Sequence, residues 1–203
     1  MQGSATPSLS SKDLACRRGD RVLFRGLSFD LQAGDAMHVT GANGTGKTTL
    51  IRALAGLITP YGGSVVSEGA VGLLDERTGL DPDQPLGTAL HFWESVDRCT
   101  DPFATFALLG LEPLLDVPVR YLSTGQRKRA GLAALVNRKV PIWLLDEPLS
   151  GLDARAIDQV TALISQHVNE GGIALIASHQ PLAIGELTTL AIEPYVPAAE
   201  TAS

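Results

Sequence analysis

Cysteine is almost missing: only Cys16 and Cys99 occur in 203 residues. Two thiols that far apart exclude a disulfide framework and a cysteine-rich zinc site, so a reducing compartment, the cytoplasm, is expected. Basic charge is scarce as well. Sixteen Lys and Arg stand against 22 Asp and Glu, a formal net charge of −6. A nucleic-acid binder would carry a basic face or stripe, so no nucleic acid is expected as a partner. No run approaches the roughly 18 apolar residues of a membrane span, and residues 1–14 (MQGSATPSLSSKDL) lack the apolar core of a signal peptide. The chain by itself is expected to be soluble. Of its four histidines, His38, His91 and His167 form no metal-ligand cluster and are expected as surface or core residues.

What is present can build one core, since 44% of the residues are hydrophobic, and a single domain over residues 1–203 is expected. Residues 21–31 (RVLFRGLSFDL) alternate in the manner of a strand, 32–35 turn at Gly34, and 36–40 form a second strand. Residues 48–57 (TTLIRALAGL) read as a helix with Leu50, Leu54 and Leu57 on one face, stopped by Pro60, Gly62 and Gly63. A strand over 70–74 follows. Helical segments broken by Pro102, Pro113 and Pro118 then predict an inserted helical subdomain over about 88–138. Strands at 142–145 and 173–178 flank an amphipathic helix at 154–169. Continuous apolar strands alternating with helices predict an α/β fold with a mainly parallel sheet covered on both faces. The tail, 194–203 (PYVPAAETAS), is expected to be loose.

Gly41-Ala42-Asn43-Gly44-Thr45-Gly46-Lys47-Thr48, with Thr49 behind it, fits G-x-x-x-x-G-K-[ST]. Composition alone produces that pattern in about one chain in a hundred of this length, and a strand before it and a helix after it make chance rarer still. Gly44 and Gly46 let backbone N–H groups turn inward around phosphates, and the helix that follows adds its positive end. Lys47 would reach the β- and γ-phosphates and Thr48 would ligate magnesium. About a hundred residues on, Trp143-Leu144-Leu145-Asp146-Glu147-Pro148 is an apolar strand ending in two carboxylates. At the carboxyl end of a parallel strand they would lie beside the phosphate loop. There Asp146 could hold magnesium and Glu147 could accept a proton from an attacking water.

Leu122-Ser123-Thr124-Gly125-Gln126 followed by Arg127 resembles the LSGGQ signature of the ABC ATPases, with Thr124 replacing one glycine. Ser150-Gly151-Leu152-Asp153 resembles their D-loop, and His179 in Ala177-Ser178-His179-Gln180 resembles their switch histidine. Ser123 and Gly125 open a helix, which makes a second anion site. The resemblance, over about residues 14–182, implies a P-loop ABC ATPase fold with an antiparallel N-terminal β region, and ATP and Mg2+ as ligands. It also implies a second ATPase subunit. The glycine loop of one chain holds a nucleotide on which the other chain closes with Ser123, Gly125, Gln126 and Asp153. His179, directly after a buried strand, would contact the γ-phosphate and fix the geometry around Glu147. Arg127, Lys128 and Arg129 are expected to be a solvated face.

Two places depart from the family pattern. The aromatic residue that stacks on adenine should fall near Arg17-Arg18-Gly19, where only arginines stand; Arg18 either lays its guanidinium over the base or faces solvent. The glutamine that joins the magnesium site to a membrane partner should follow residues 70–74, but Asp75-Glu76-Arg77-Thr78 stands there, and Gln84 lies too far along. Either Glu76 or Arg77 substitutes, or coupling uses another contact. Residues 21–29, 54–60, 90–93 (LHFW) and 171–174 (GGIA) resemble the branch of the family that exports haem for cytochrome c biogenesis. That likeness implies multispanning permease partners, peripheral attachment to the cytoplasmic side of the inner membrane, and only indirect contact with haem. The alternatives are an ATPase for another exported substrate and a soluble regulatory module.

Overall fold

The computed structural model describes residues 6–97 and 102–197, so Cys99 and residues 198–203 of the tail lie outside the described residues. Among the described residues eight strands run in chain order as β1 (Ser8–Arg18), β2 (Arg21–Gln32), β3 (Ala36–Thr40), β4 (Gly62–Glu68), β5 (Val71–Leu74), β6 (Ile142–Asp146), β7 (Ile173–Ala177) and β8 (Leu187–Ala191). The helices are α1 (Lys47–Leu54), α2 (Leu86–Asp97), α3 (Pro102–Leu108), α4 (Thr124–Asn137) and α5 (Ala154–Asn169). β1, β2 and β4 form an antiparallel sheet in the order β2-β1-β4. The other five strands form a parallel sheet in the order β5-β6-β7-β3-β8.

The centre of the parallel sheet explains itself from its sequence. Every residue of β6 (IWLLD) and β7 (IALIA) is buried. Their side chains alternate between two cores, Ile142, Leu144, Ile173 and Leu175 on one side, Trp143, Leu145, Ala174 and Ile176 on the other. A strand covered on both faces has no polar phase, which is why these runs are continuously apolar. α1 packs on the first face and α4 and α5 on the second. Between β5 and β6 the described chain is helical, with α2 and α3 packed against α4.

Several boundaries differ from the sequence expectation. α1 stops at Leu54 rather than Leu57, and Gly62 and Gly63 begin a strand instead of only ending a helix. β1 and β8 had no counterpart in the sequence reading. At the tail, Glu193–Tyr195 form a 3-10 turn. Among the described residues no helix is long and apolar enough to cross a membrane.

Strand order sets the rest. β7 lies between β6 and β3, so whatever follows β7 must stand between the loop after β3 and the loop after β6.

Candidate active site

The loop after β3 turns into α1 at Gly46, whose φ of 110° suits glycine. A Cβ there would come within 3.0 Å of Phe24 Cδ1 and 3.1 Å of Leu23 Cβ, so close packing against β2 also demands glycine. Gly44 needs only its left-handed φ of 79°, for its surroundings are open. Lys47 is 7% exposed, and its Nζ donates to the carbonyls of Gly41 (2.7 Å) and Ala42 (3.3 Å). A buried ammonium must be hydrogen-bonded, and here the loop's own carbonyls do it. Thr45 Oγ1 donates to the Ala42 carbonyl at 2.8 Å, and the Ala42 N–H donates to Glu193 Oε1 at 2.9 Å. Sequence reasoning missed Glu193, which reaches the loop from 151 residues away.

Asp146 ends β6 at 5% exposure. Burial pushes its carboxyl above the ordinary range, opposed by a hydrogen bond from the Thr48 side chain; Glu147 pushes up further and Lys128 pulls down. Glu147 has a left-handed backbone, φ 49°, and its N–H donates to the Ala177 carbonyl at 2.7 Å. For a residue with a Cβ that conformation costs on the order of 1–3 kcal/mol and tends to gather at functional sites. His179 follows β7. Its Nε2 lies 2.6 Å from Asn43 Oδ1, 3.1 Å from Lys47 Nζ and 3.5 Å from Glu147 Oε1, and its N–H points to Glu147 Oε2 at 3.4 Å. Lys47 can only donate to Nε2, whereas Asn43 Oδ1 and the Glu147 carboxylate can only accept from it, so this one nitrogen is offered partners of both kinds and serves as donor or acceptor according to which of them it pairs with.

These groups face one cavity of about 580 Å³. Asn43, Gly44, Gly46, Lys47, Thr48 and Thr49 line it with Asp146, Glu147 and His179, and so do Arg18, Leu23, Glu76, Ser150 and Gln180. Arg18 therefore faces the cavity, whereas Arg17 lies over the Tyr61 ring at 5.1 Å. Glu76 occupies the cavity edge, while Asp75 is buried in an ion pair with Arg52 at 3.0 Å. Gln84 lines a separate groove with Ala89, Phe92 and Trp93. Thr48 and Asp146 line the cavity side by side, and both carry oxygen atoms of the hard kind that magnesium prefers. Among the described residues no group of three or more His, Cys, Asp or Glu is arranged to hold a metal ion, and a magnesium ion carried on substrate phosphates needs only one or two side chains.

Ser123, Gly125, Gln126 and Asp153 do not line this cavity. Ser123 caps α4: its Oγ accepts from the Gln126 N–H at 3.2 Å and Gln126 Oε1 accepts from the Ser123 N–H at 2.7 Å, a reciprocal capping box. A Cβ on Gly125 would sit 2.4 Å from the Gly151 carbonyl oxygen, so the start of α4 lies directly on the Ser150–Asp153 turn of its own chain. Asp153 caps α5, accepting from the Ala156 N–H at 2.8 Å.

The basic triplet on α4 is not a solvated face. Lys128 is 7% exposed and donates to the Glu147 carbonyl; burial pushes its amine down, against the pull of Glu147, Asp146 and Glu76. Arg129 donates to the Leu109 carbonyl at 2.8 Å. The misreading came from treating three charges in a row as surface, when a 14-residue helix packed on the core turns one of them inward. His38 is a core residue whose Nε2 bonds the Ser178 carbonyl at 2.9 Å.

A parallel α/β sheet with a glycine loop between its β3 and α1, and paired carboxylates after the strand next but one, defines a P-loop nucleotide-binding protein. The ABC transporter family model matches residues 24–150, and the chain belongs to that family. It is 54% identical over 189 residues to the cytochrome c biogenesis ATP-binding export protein CcmA of Novosphingobium aromaticivorans, covering 93% of this chain and 97% of that one. To the protein of the same name from Zymomonas mobilis it is 44% identical, covering 93% and 86%. Among solved structures, an ABC transporter ATP-binding protein from Pyrococcus furiosus shares the fold with a TM-score of 0.78 at 22% identity, over 94% of this chain and all of that one. An inward-facing metal-chelate type ABC transporter gives 0.75 at 25% identity, over 92% and 80%.

Proposed function

We propose that this chain is the ATP-hydrolysing subunit of an ABC transporter that powers haem export or handling for cytochrome c biogenesis. It acts in pairs, attached to multispanning permease subunits from the cytoplasmic side of the inner membrane, and meets haem only through them. Residues 88–138 serve as the helical subdomain of a single ATPase domain. The observation that carries the reading is the meeting of Lys47, Glu147 and His179 within 3.5 Å of one imidazole nitrogen, at the mouth of the glycine loop.

Lys47 exchanges its loop carbonyls for the β- and γ-phosphates of ATP. The N–H groups of the loop and the positive end of α1 hold the remaining charge. Arg18, at the rim, lies over the base. Thr48 and Asp146 would hold magnesium, which supplies charge neutralisation at the phosphates. Glu147 takes the proton from the attacking water, and His179 keeps Glu147 and the γ-phosphate in register. Ser123, Gly125, Gln126 and Asp153 close on the nucleotide of the second chain, which accounts for their distance from the cavity of their own. The groove of about 400 Å³ lined by Ala89, Phe92 and Trp93 begins at Gly79, just past Glu76 and Arg77, and suits an apolar permease helix.

Glu147→Gln tests the reading. ATP affinity should stay within about threefold while hydrolysis falls by about 10²- to 10⁴-fold and a nucleotide-bound dimer accumulates on gel filtration. Undiminished turnover would remove Glu147 from this role.

A further inference from the structure

We propose that Lys128 is a positioning residue that ties the signature-bearing helix α4 to Glu147 of the same chain, so that engagement of one composite site is felt at the carboxylate of the other. The inference rests on the pairing described under Proposed function and adds to it a link inside each subunit. Lys128 stands one turn beyond Thr124 and is 7% exposed. Its Nζ donates to the main-chain carbonyl of Glu147. That carbonyl also receives the Ser150 N–H at 3.2 Å, and the Glu147 N–H is fixed on Ala177 of β7 at 2.7 Å. Glu147 is thus held in its left-handed conformation, φ 49°, from three sides: a strand, the Ser150 turn and α4.

Packing does not require an ammonium at this place. A buried cation costs desolvation that an apolar side chain of the same length avoids, so its presence calls for a task. Glu147, Asp146 and Glu76 are the acidic groups that face it. Three residues towards the helix start, Gly125 rests on Gly151 of the same turn that donates to Glu147. Ser123 and Gly125 are the residues that close on the partner's nucleotide. When they do, α4 is drawn with them, and both its contacts near Glu147, Gly125 on the turn and Lys128 on the carbonyl, move together. Such a mechanical link lets each subunit set its carboxylate only when its signature end is occupied.

The test uses the full chain assembled with its membrane partners. In Lys128→Met, KM and ATP affinity should stay within about twofold, while kcat falls about 10- to 100-fold, the loss of one hydrogen bond to a charged donor. Lys128→Arg, which keeps a donor, should restore most of it. In the Glu147→Gln background Lys128→Met should add nothing to the loss. A raised KM with kcat intact, no rescue by arginine in a chain that still melts cooperatively, or losses that multiply with Glu147→Gln would each overturn the proposal. Should Lys128→Met fail to fold, Lys128→Leu, which also lacks a donor, carries the same expectation. If Glu147→Gln alone kept full turnover, the catalytic role of Glu147 would fall first, and the two failures are thereby told apart.

Discussion

The parallel sheet has a cavity of about 580 Å³ at each end, and the two differ in the side chains they gather. At the carboxyl ends of β3, β6 and β7 stand Lys47, Asp146, Glu147 and His179. At the amino ends of β6 and β7, Pro141, Trp143, Leu163 and His167 line a hollow rimmed by Lys139, Gln166 and Glu170. The same strand serves both, with Trp143 at one end of β6 and Asp146 at the other. Volume therefore says little about function. Strand direction decides, because the turn into a helix at the carboxyl end presents N–H groups and lets side chains converge. Each end also owns a histidine. His179 touches three polar groups, whereas His167 lies flat on Trp143, 3.8 Å between centroids at 7°, and leaves no room for a Cβ at Gly172.

The largest difference between the ends should come from Lys47. Lys47→Ala removes a charge-assisted partner of the phosphates, and nucleotide affinity should weaken about 10- to 100-fold in a fluorescent-nucleotide titration. No substitution in the amino-end hollow should move that titration by more than about twofold. Unchanged affinity in Lys47→Ala would mean that the loop carbonyls, not phosphates, are the partners this lysine serves.

The two histidines sharpen the contrast next. His179→Ala should lower kcat by about a hundredfold with little change in melting temperature. His167→Ala should do the reverse, leaving kcat at a permissive temperature unchanged and lowering stability. Burial holds the His167 imidazole below the ordinary value of about 6.5. The unfolded chain takes up that proton more readily, so the stability of the wild type falls as pH drops through the region near 6.5 and the folded value below it. His167→Ala should flatten that acid slope, measured by thermal melts across the range. A steeper slope in the variant would assign the sensitivity to another group.

How much of this could be read from the sequence depends on where the deciding neighbours lie. β6 and β7 were legible because burial on both faces leaves continuous apolar runs. The loop, the carboxylates and His179 were legible because each sits at the end of such a run. β4 was not, since five of its seven residues are exposed and GGSVVSE carries no apolar alternation. Ser123 and Gln126 have the spacing of a capping box, and the chain uses Gln126 that way in the free subunit. Lys128 and Glu193 escaped because their partners lie 19 and 151 residues away, and no local pattern marks such a pair.

The smallest effect is the one that separates binding from folding. Asp146 is buried with its carboxyl pushed upward, chiefly by desolvation, so the ionised group is a burden on the nucleotide-free fold. Because its folded value lies above the unfolded value of about 3.9, its unfavourable contribution grows as pH rises from the unfolded value through the folded one. Asp146→Asn removes the charge, keeps the shape and leaves the Thr48 hydroxyl a partner, at the expense of some attraction to Lys128. Without nucleotide at pH 7 it should melt about 2–4 °C higher than the wild type, with the gain vanishing towards pH 3. With ATP and magnesium the order should reverse, since only the wild type draws stability from the bound ion. A comparable carboxylate-to-amide change at the amino-end hollow, Glu170→Gln, has no buried charge to relieve and should shift neither melt. If Asp146→Asn instead melts lower without nucleotide, its pairing with Lys128 outweighs its desolvation, and Asp146 belongs to the scaffold as much as to the site.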